Sequence, residues 1–517
     1  MTAPTHYLRV EGANLDHFLE DTQDLSTVRG AGLLLIEAVG FVKEILPGLC
    51  DAGNLECLSQ GASIGLFAVS TKDARGLCDN VMARLAEDTQ FKHMTFLVDA
   101  TPINATSEAF HDDVHRLLAM NRTRQLGTPS LVLPPWNEDP RIVPDEVFDR
   151  MQPATEETYV PNDDGDEPKK VCISPSTLAR RDHGRDQRRE LYSALGVSTD
   201  NFFTDDLHTL SAGQAYGLCE GKVAVLYADG NKFSEIIRLH CTSPTLYTEF
   251  DRQVREKREG LLKAIITSTE DDERWWTRNR KGQRVRRLET LLWGGDELIW
   301  VVPAWLGWEM ASQIFQVTAS WSFSALPDKG PHISEELTHS VGIVFASHKA
   351  PIQRLVGLAR NLAQLAKNTI KHGLKLDGKL HAFRGRSRNL LAYEVLESFD
   401  FASDDIERRW GRRLHDSGLP PGALLLPGVA LGELQEKLRT LENSHFPQRQ
   451  LHEQARNTFR GVGWHATIED PDLKEFIAEL TALASLLQPF PEKTLWLHLA
   501  QLWNYVARPP RIAAHSS

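Results

Sequence analysis

The sequence predicts an α+β fold in which a β-α-β-β-α-β unit occurs twice and a helical domain follows. Between Lys222 and Ile370, short β-branched runs alternate with segments of helical spacing in that order. One hairpin of this unit has a close counterpart near the N-terminus. After about Asn389 the apolar residues recur at helical spacing. A unit of this order builds a mostly antiparallel sheet with helices on one face.

The second copy begins with a buried strand that ends at an acidic turn. The run KVAVLYADG is apolar and rich in β-branched residues, and NKFSEIIRLH follows it with helical spacing. The run LETLLWGGDELIWVVPAW is typical of two strands joined through Gly294 and Gly295. A further strand, HSVGIVFAS, and a helix from Ile352 to Ile370 complete the unit.

The N-terminal segment repeats this pattern. Gly61–Val69 aligns without a gap on Gly294–Val302, and Val10–Leu15 resembles Ala228–Phe233. In this alignment Ser63 stands where the second copy has Asp296, and Glu11 where it has Asp229. We therefore expect a degenerate first unit in residues 1–105, a linker and helical region in 106–220, the second unit in 221–390 and a helical domain in 391–517.

Composition and charge limit the functional classes. The 517 residues include 58 basic and 70 acidic side chains, a net charge of −12, so the molecule as a whole is not a general nucleic-acid binder. The N-terminus lacks a secretion signal, and we see no membrane-spanning run, which predicts a cytoplasmic protein without membrane contact. The six cysteines contain no C-x-x-C pair, so a zinc site has little support.

Several segments concentrate charge. Pro161–Lys170 is acidic and typical of an exposed linker, whereas Arg180–Arg189 is too densely basic to bury, which predicts a solvated helix. Trp275–Arg287 interleaves aromatic and basic residues. It could bind single-stranded nucleic acid by stacking, or form an exposed β-ribbon with a basic rim. Arg384–Arg388 and Arg408–Arg413 are typical of surface helices or partner contacts.

Two distant carboxylates carry the predicted chemistry. If the strand ending at Asp229 pairs with the hairpin, its carboxylate and that of Asp296 converge at one edge of the sheet. Two such charges repel by about 4 kcal/mol at an effective dielectric near 20, so a cation between them is expected. Mg²⁺ or Mn²⁺ fits, and two ions could activate a ribose 3′-hydroxyl and stabilise the leaving pyrophosphate. Gly294 and Gly295 would let a nucleotide approach the backbone closely, and the Asp229–Asn231 turn favours phosphate.

Three runs carry a resemblance to a known family: LYADGNKFSEI, LLWGGDELIWVVP and HSVGIVFASHKAPIQRLVGLARNLAQLAKN. They resemble the palm of the large polymerase-like subunit of type III CRISPR effector complexes, a relative of GGDEF diguanylate cyclases and class III nucleotidyl cyclases. YLRVEGANLDHFLEDTQDLSTVRGAGLLL similarly resembles that subunit's first palm. The resemblance implies two ferredoxin-like, nucleotidyl-cyclase-like palm domains, of which the first is non-catalytic.

The resemblance also implies site residues. Asp229 and Asp296 would bind metal and, with Glu297, form the catalytic set; Glu297 replaces the aspartate usual in that family. The nucleotide-binding residues would be Gly230, Asn231, Lys232, Phe233, Gly294, Gly295 and Lys367, of which Lys367 would contact the triphosphate. The histidine-aspartate nuclease domain of that family is not seen before the first palm, and Cys172 lacks partners for its zinc element, which implies a compact relative.

These residues point to a nucleotidyltransferase or cyclase that makes a cyclic (oligo)nucleotide signal from ATP or another NTP. The implied partners are an RNA activator and CRISPR-type effector subunits. The alternative is a non-catalytic scaffold or sensor that binds NTP or RNA. A processive polymerase is disfavoured, because no region resembles fingers or thumb.

Overall fold

The structure is a computed structural model that describes residues 3–13, 15–19, 21–51, 53–104, 109–128, 143–148, 152–160, 167–194, 202–204, 206–327, 330–397, 405–461 and 469–507. Residue 14 of the predicted repeat and residues 161–166 of the predicted acidic linker lie outside this set.

The N-terminal unit is a four-stranded antiparallel sheet with helices on both faces. Its elements are β1 (His6–Ala13), α1 (Leu15–Leu19), α2 (Leu25–Leu49), β2 (Glu56–Gln60), β3 (Ile64–Val69), α3 (Ala74–Glu87), β4 (Thr95–Pro102) and α4 (Ala109–Leu126). The strand order is β2-β3-β1-β4. The carboxylates of Asp24 and Asp73 accept backbone N–H groups at the starts of α2 and α3, so both helices begin at acidic N-caps.

A connecting region of short elements follows. These are β5 (Val143–Pro144), β6 (Pro153–Ala154), β7 (Glu156–Val160), β8 (Lys169–Ile173), α5 (Pro175–Asp186), α6 (Arg188–Ala194), β9 (Phe202–Phe203) and α7 (Leu207–Ser211). α5 crosses α2 at very short range, because a Cβ on Gly30 would lie 1.7 Å from the carbonyl oxygen of Arg180. Small residues at this crossing therefore join the connecting region to the first unit.

The second unit is built around a six-stranded sheet. Its elements are β10 (Lys222–Asn231), α8 (Phe233–His240), α9 (Pro244–Ser268), β11 (Trp276–Arg278), β12 (Arg284–Arg286), β13 (Glu289–Gly294), β14 (Glu297–Pro303), α10 (Ala304–Thr318), β15 (Ser322–Ala325), β16 (Ile333–Glu336), β17 (Thr338–Ser347), α11 (Ile352–His372), β18 (Leu374–Leu376), β19 (Lys379–His381) and β20 (Leu390–Val395). The order is β13-β14-β10-β17-β20, with a short final strand β21 (Leu426–Pro427). The segment after Asn389 was predicted to be helical, but β20 pairs in parallel with β17 and extends the sheet.

The two sheets share one topology and one register. Glu11 lies opposite Ile64 in the first sheet, and Asp229 lies opposite Glu297 in the second, as the sequence alignment requires. Both hairpins also carry a β-bulge at the aligned position, after Cys57 in one and after Thr290 in the other. The predicted α+β fold with two ferredoxin-like units is therefore confirmed.

The remaining elements are helical and pack against the second sheet. They are α12 (Ile406–Leu414), α13 (Leu431–Asn443), α14 (Leu451–Phe459), α15 (Ile477–Leu486) and α16 (Leu495–Leu502). The apolar face of α10, including Trp308, packs into one core with α13 and α16. The predicted C-terminal helical region is confirmed, and it continues the core of the second unit. In α12, Arg409 and Arg413 of the predicted basic cluster bind the buried carboxylate of Glu394.

Helix α2 is a core helix despite its composition. Among the described residues it alone is long and apolar enough to cross a membrane, with a mean hydropathy of 1.6, although the sequence analysis found no membrane-spanning run. However, 72% of that window is buried within the protein. One side packs on α5, and a Cβ on Gly32 would lie 2.5 Å from the carbonyl oxygen of Leu291 in β13. The apolar residues therefore face the rest of the protein.

The predicted solvated helix at Arg180–Arg189 is wrong. Arg180 and Arg181 are at most 1% exposed, and Arg188 is 6% exposed. Each is neutralised by a carboxylate from a distant segment: Asp21, Asp24 and Glu289, respectively. Buried charges are tolerated when they are paired in this way, and here the pairs link the connecting region to the segment before α2 and to β13 of the second sheet.

Candidate active site

The structure brings Asp229 and Asp296 together at the edge of the second sheet. Asp229 lies near the end of β10, and Asp296 occupies the turn between β13 and β14. The backbone N–H of Gly230 donates to the carbonyl oxygen of Asp296 over 3.2 Å, and the charge of Asp296 helps to raise the pKa of Asp229. Neighbouring strands thus place two carboxyl groups from distant parts of the chain close together.

A lysine completes this cluster. The Nζ of Lys367, on α11, lies 2.5 Å from Oδ2 of Asp229. Burial and the charge of Asp296 raise the pKa of Asp229 to about 7, against the opposing effect of Lys367. Burial also raises the pKa of Asp296. Ionisation of both carboxyl groups is therefore unfavourable, and the one ammonium group only partly offsets this cost.

This donor set fits a divalent metal that is shared with a ligand. Among the residues that the structure describes, no three His, Cys, Asp or Glu side chains group closely enough to hold a metal unaided. Mg²⁺ commonly takes only one or two carboxylates from the protein and completes its shell with water and phosphate oxygens. The raised pKa values of the two aspartates show that a cation would be favourable there.

The glycines of the site have different roles. A Cβ on Gly230 would lie 2.9 Å from Cβ of Asp296, so glycine is needed for the two acidic segments to approach. A Cβ on Gly294 would lie 1.8 Å from Cβ of Ala62 in the first unit. The prediction that Gly294 leaves room for nucleotide is therefore wrong, because Ala62 fills that space. Gly295 has a φ of 59° with no atom within 4 Å of its Cβ position, and it alone keeps that open approach.

The side chains of other predicted nucleotide-binding residues bind neighbouring parts of the protein. Asn231 is 2% exposed, donates to the carbonyl oxygen of Arg388 over 2.7 Å and accepts from Ser340 over 2.7 Å. Phe233 is buried against Phe250. These two side chains are enclosed by protein, so the predicted contact of these residues with nucleotide would have to come from their backbone and stays a prediction. Lys232 adopts a left-handed φ of 63° before α8, and its half-exposed amine pairs with Glu235 at 3.0 Å.

Glu297 faces the same side of the sheet as Asp229, its partner in the ladder. Burial and the carboxylates of Glu297 and Asp229 raise the pKa of Tyr227. The guanidinium of Arg360 lies 5.5 Å from the centre of the Tyr227 ring. Glu297 is therefore close to the acidic pair, on the face that α11 covers.

The equivalent position in the first unit is neutralised by arginines. Glu11 binds Arg9 directly, and its second oxygen lies 3.0 Å from Arg122 of α4. Ser63 provides no second carboxylate at this position. Since two guanidinium groups already satisfy Glu11, the site has no excess negative charge for a metal. This agrees with a non-catalytic first palm.

The Trp275–Arg287 segment forms a β-ribbon with buried aromatic residues. Trp275 is fully buried and Trp276 is 6% exposed, with the guanidinium groups of Arg284 and Arg286 lying 3.9 and 4.4 Å from the Trp276 ring centre. Of the two interpretations left open, the stacking of bases on these tryptophans is wrong. Arg280 and Lys281 remain exposed at the tip, as the ribbon interpretation requires.

The sequence analysis missed one cation at the site. Arg258 on α9 is 8% exposed, and its Nη1 donates to the carbonyl oxygen of Gly295 over 3.3 Å. Its guanidinium lies 5.5 Å from the centre of the Trp293 ring. The sequence of this segment indicates only a long helix, so no sequence signal separated Arg258 from the other charged residues of α9.

Comparisons with known proteins agree with this geometry. Residues 222–374 match the family model of the second palm domain of Cas10/Cmr2. No curated protein sequence matches the chain. The fold is similar to the crystal structure of an apo Csm1-Csm4 cassette, with a TM-score of 0.53 and 13% identity over 98% of this chain and 70% of that chain. The Csm1-Csm4 cassette in complex with cA3 gives a TM-score of 0.52, with the same identity and coverage.

The match to the second palm covers the Asp229–Asp296 cluster and Lys367, and the structural similarity extends over both palms and the C-terminal helices. At this identity the solved structures show the fold alone. Residues 222–374 therefore match the second palm domain of Cas10/Cmr2, and the chain as a whole has a fold similar to that of a chain of the Csm1-Csm4 cassette.

Proposed function

We propose that the second palm is a metal-dependent nucleotidyltransferase that makes a cyclic (oligo)nucleotide from ATP. The observation that carries this proposal is that Asp229 and Asp296 lie close together, with the ammonium group of Lys367 paired to Asp229. A buried acidic pair with raised pKa values is a poor structural element on its own account, but it becomes favourable when divalent metal and a triphosphate are added.

The proposed reaction forms one phosphodiester bond in each step. The 3′-hydroxyl oxygen of one nucleotide attacks the α-phosphorus of another, the bond to the β-phosphate oxygen breaks, and pyrophosphate leaves with the electron pair. The hydroxyl proton passes to solvent. One or two Mg²⁺ or Mn²⁺ ions, when bound, would make the 3′-hydroxyl more acidic and neutralise the charge that develops on the phosphates.

The residues of the chain have separate roles in this proposal. Asp229 and Asp296 hold the cation, and the open Gly295 turn admits the nucleotide to the sheet edge. Lys367 exchanges its contact with Asp229 for a phosphate oxygen, because a flexible ammonium group can bind either anion. Glu297 lies close enough to accept a hydrogen bond from a ribose hydroxyl.

The family resemblance suggests the product and the setting. One similar cassette was solved in complex with cA3. We infer that this chain makes a cyclic oligoadenylate in CRISPR-type antiphage defence, within a cytoplasmic effector complex that includes a Csm4-like subunit and responds to RNA. The first palm, with its metal position neutralised by Arg9 and Arg122, supports the reaction without catalysing it.

The test is a pyrophosphate-release assay on the pure chain with labelled ATP and Mn²⁺, with and without RNA. We expect release that requires metal and is abolished by Asp296→Asn. A product that survives this substitution contradicts the assignment. If metal-dependent ATP binding is retained but no pyrophosphate is released under either condition, the non-catalytic scaffold or sensor is the correct alternative.

A further inference from the structure

Buried arginines in this protein nearly always face a carboxylate. Eight arginines in the described residues are buried, and six of them pair with Asp or Glu: Arg9, Arg29, Arg180, Arg181, Arg188 and Arg286. Arg258 and Arg287 are the two whose described contacts include no carboxylate. An uncompensated buried guanidinium is costly, so each requires an explanation.

Arg287 is satisfied by backbone oxygens. Its Nε donates to the carbonyl oxygen of Trp276 over 3.0 Å, and its Nη1 donates to that of Leu210 over 2.6 Å. A further contact reaches the carbonyl oxygen of Thr209 at 3.3 Å. This arginine therefore joins the β11–β12 ribbon to α7 and has a structural role.

Arg258 lacks such partners. Its only hydrogen bond within the described residues is the 3.3 Å contact from Nη1 to Gly295, and its buried Nε has no acceptor there. Burial lowers the pKa of Arg258 to about 10, although Glu259, Asp251 and, to a smaller extent, Asp296 act in the opposite direction. The ring of Trp293 restricts its position. A rigid donor group is thus held beside the turn that carries Asp296, with donors left unused.

The neighbouring elements keep Arg258 in this place. Asp251 lies two helical turns before Arg258 on the same face of α9. Its carboxylate accepts from the hydroxyl of Ser59 over 3.0 Å and from the backbone N–H of Gln60 in the first palm. This contact fixes α9 against the β2 strand of the first palm. Trp293, which Arg258 contacts, belongs to the core on the α9 side of the sheet, whereas α11 with Lys367 covers the other side, so the two cations approach from opposite faces.

We propose that Arg258 is a phosphate-binding residue whose missing counter-ion is the polyphosphate of the nucleotide bound at Asp229 and Asp296. A guanidinium donates two parallel hydrogen bonds to phosphate, which matches donors left without protein acceptors. Lys367 and Arg258 then bind the anion from the two faces of one sheet edge. This inference rests on the proposed nucleotide site, but it does not require turnover.

The test compares Arg258→Met and Arg258→Lys with the wild-type full-length chain. Arg252→Met is the matched control, because Arg252 is exposed on the same helix and, in the part of the chain that the structure describes, pairs only with Glu249 and Glu256. Binding is measured, with Mg²⁺ present, for adenosine and for the α,β-methylene analogue of ATP, which cannot release pyrophosphate. Thermal unfolding is measured without nucleotide.

We expect Arg258→Met to weaken binding of the ATP analogue about 10- to 100-fold, the usual range for a lost charge-assisted hydrogen bond, and to leave adenosine within about twofold. Arg258→Lys should retain part of the affinity, and the control should retain all of it. The melting temperature of Arg258→Met without nucleotide should equal or exceed that of the wild type, because a costly buried charge is removed.

Equal affinity for the analogue in Arg258→Met, an equal loss for adenosine, or a variant that fails to fold would each overturn the proposal. Failure of the proposed function gives a different result. In that case the wild type releases no pyrophosphate from ATP, yet it binds the analogue in a manner that depends on Arg258.

Discussion

Replacing Asp296 by asparagine should stabilise the metal-free protein at about pH 8 while it removes metal binding. The substitution keeps the shape of the side chain and removes one of two adjacent charges. Its amide can donate to Asp229 where a carboxylate would repel it. A residue that was present only for stability would show the opposite result, since its replacement would weaken the fold.

The magnitude follows from the pKa of Asp229, which is raised from 3.8 to about 7. At about 1.4 kcal/mol for each unit, ionising this group in the folded protein costs about 4 kcal/mol relative to the unfolded chain. Burial is the largest cause and the charge of Asp296 the second, so we assign about 2 kcal/mol to the repulsion. Asp296→Asn should recover that amount.

The direction in which stability changes with pH follows from the proton that the folded protein binds more tightly than the unfolded chain. A carboxyl group with a raised pKa binds its proton more tightly in the folded state, so its stabilising effect is complete below about pH 4 and is lost as the pH rises through about 7. The metal-free wild type should therefore melt at a lower temperature at about pH 8 than at about pH 6. At the higher pH, Asp296→Asn should melt about 4–8 °C above the wild type if the palm unfolds as one unit.

Scanning calorimetry of the full chain, with chelator or with Mn²⁺, measures both effects. Mn²⁺ should raise the melting temperature of the wild type at the higher pH and leave that of Asp296→Asn unchanged. Asp79→Asn, an exposed carboxyl on α3, is the control for a general loss of charge. A variant that melts at or below the wild type at about pH 8, or a wild type that melts higher as pH rises, would refute the electrostatic argument.

Three further substitutions test other parts of the structure. Lys367→Met should raise KM for ATP about tenfold and move the pKa of Asp229 still higher, because the ammonium group lowers it; an unchanged KM and pH profile would exclude a phosphate contact. Glu289→Gln removes the buried carboxylate that pairs with both Arg29 and Arg188 and should cost about 3–5 kcal/mol in urea unfolding, whereas a loss below about 1 kcal/mol would contradict the buried network. Gly294→Ala places a Cβ 1.8 Å from that of Ala62 and should destabilise the protein by about 1–3 kcal/mol. Adding Ala62→Gly should restore most of that loss, and simple additivity of the two would disprove the contact.

Local sequence patterns predicted the sheet and its acidic edge. The alternation of apolar residues and the order of strands are properties of neighbouring residues, and strand pairing converts them directly into position. The gapless alignment of the two hairpins therefore predicted that the two sheets share one register, with Asp229 placed beside the hairpin that carries Gly294–Glu297. The loss of the second carboxylate at Ser63 was visible for the same reason.

The environments of charged and aromatic side chains were not predictable in this way. Arg180 and Arg188 belong to a segment that is dense in charge, and only the distant Asp21 and Glu289 allow them to be buried. The tryptophans of the β11–β12 ribbon similarly lie in a core whose other residues come from several elements. Composition indicates how costly burial is, but the partner that offsets the cost is set by the packing of distant segments.

The sequence by itself determined two palm units, their register and the acidic pair, because these depend on the period and order of nearby residues. Only the tertiary structure decided that Ala62 fills the space beside Gly294, that the side chain of Asn231 is enclosed, and that Arg258 reaches the site with no carboxylate partner among the described residues. The physical reason is that the charge balance and close contacts of a site depend on which distant surfaces pack together, and residue spacing along one strand or helix does not contain that information.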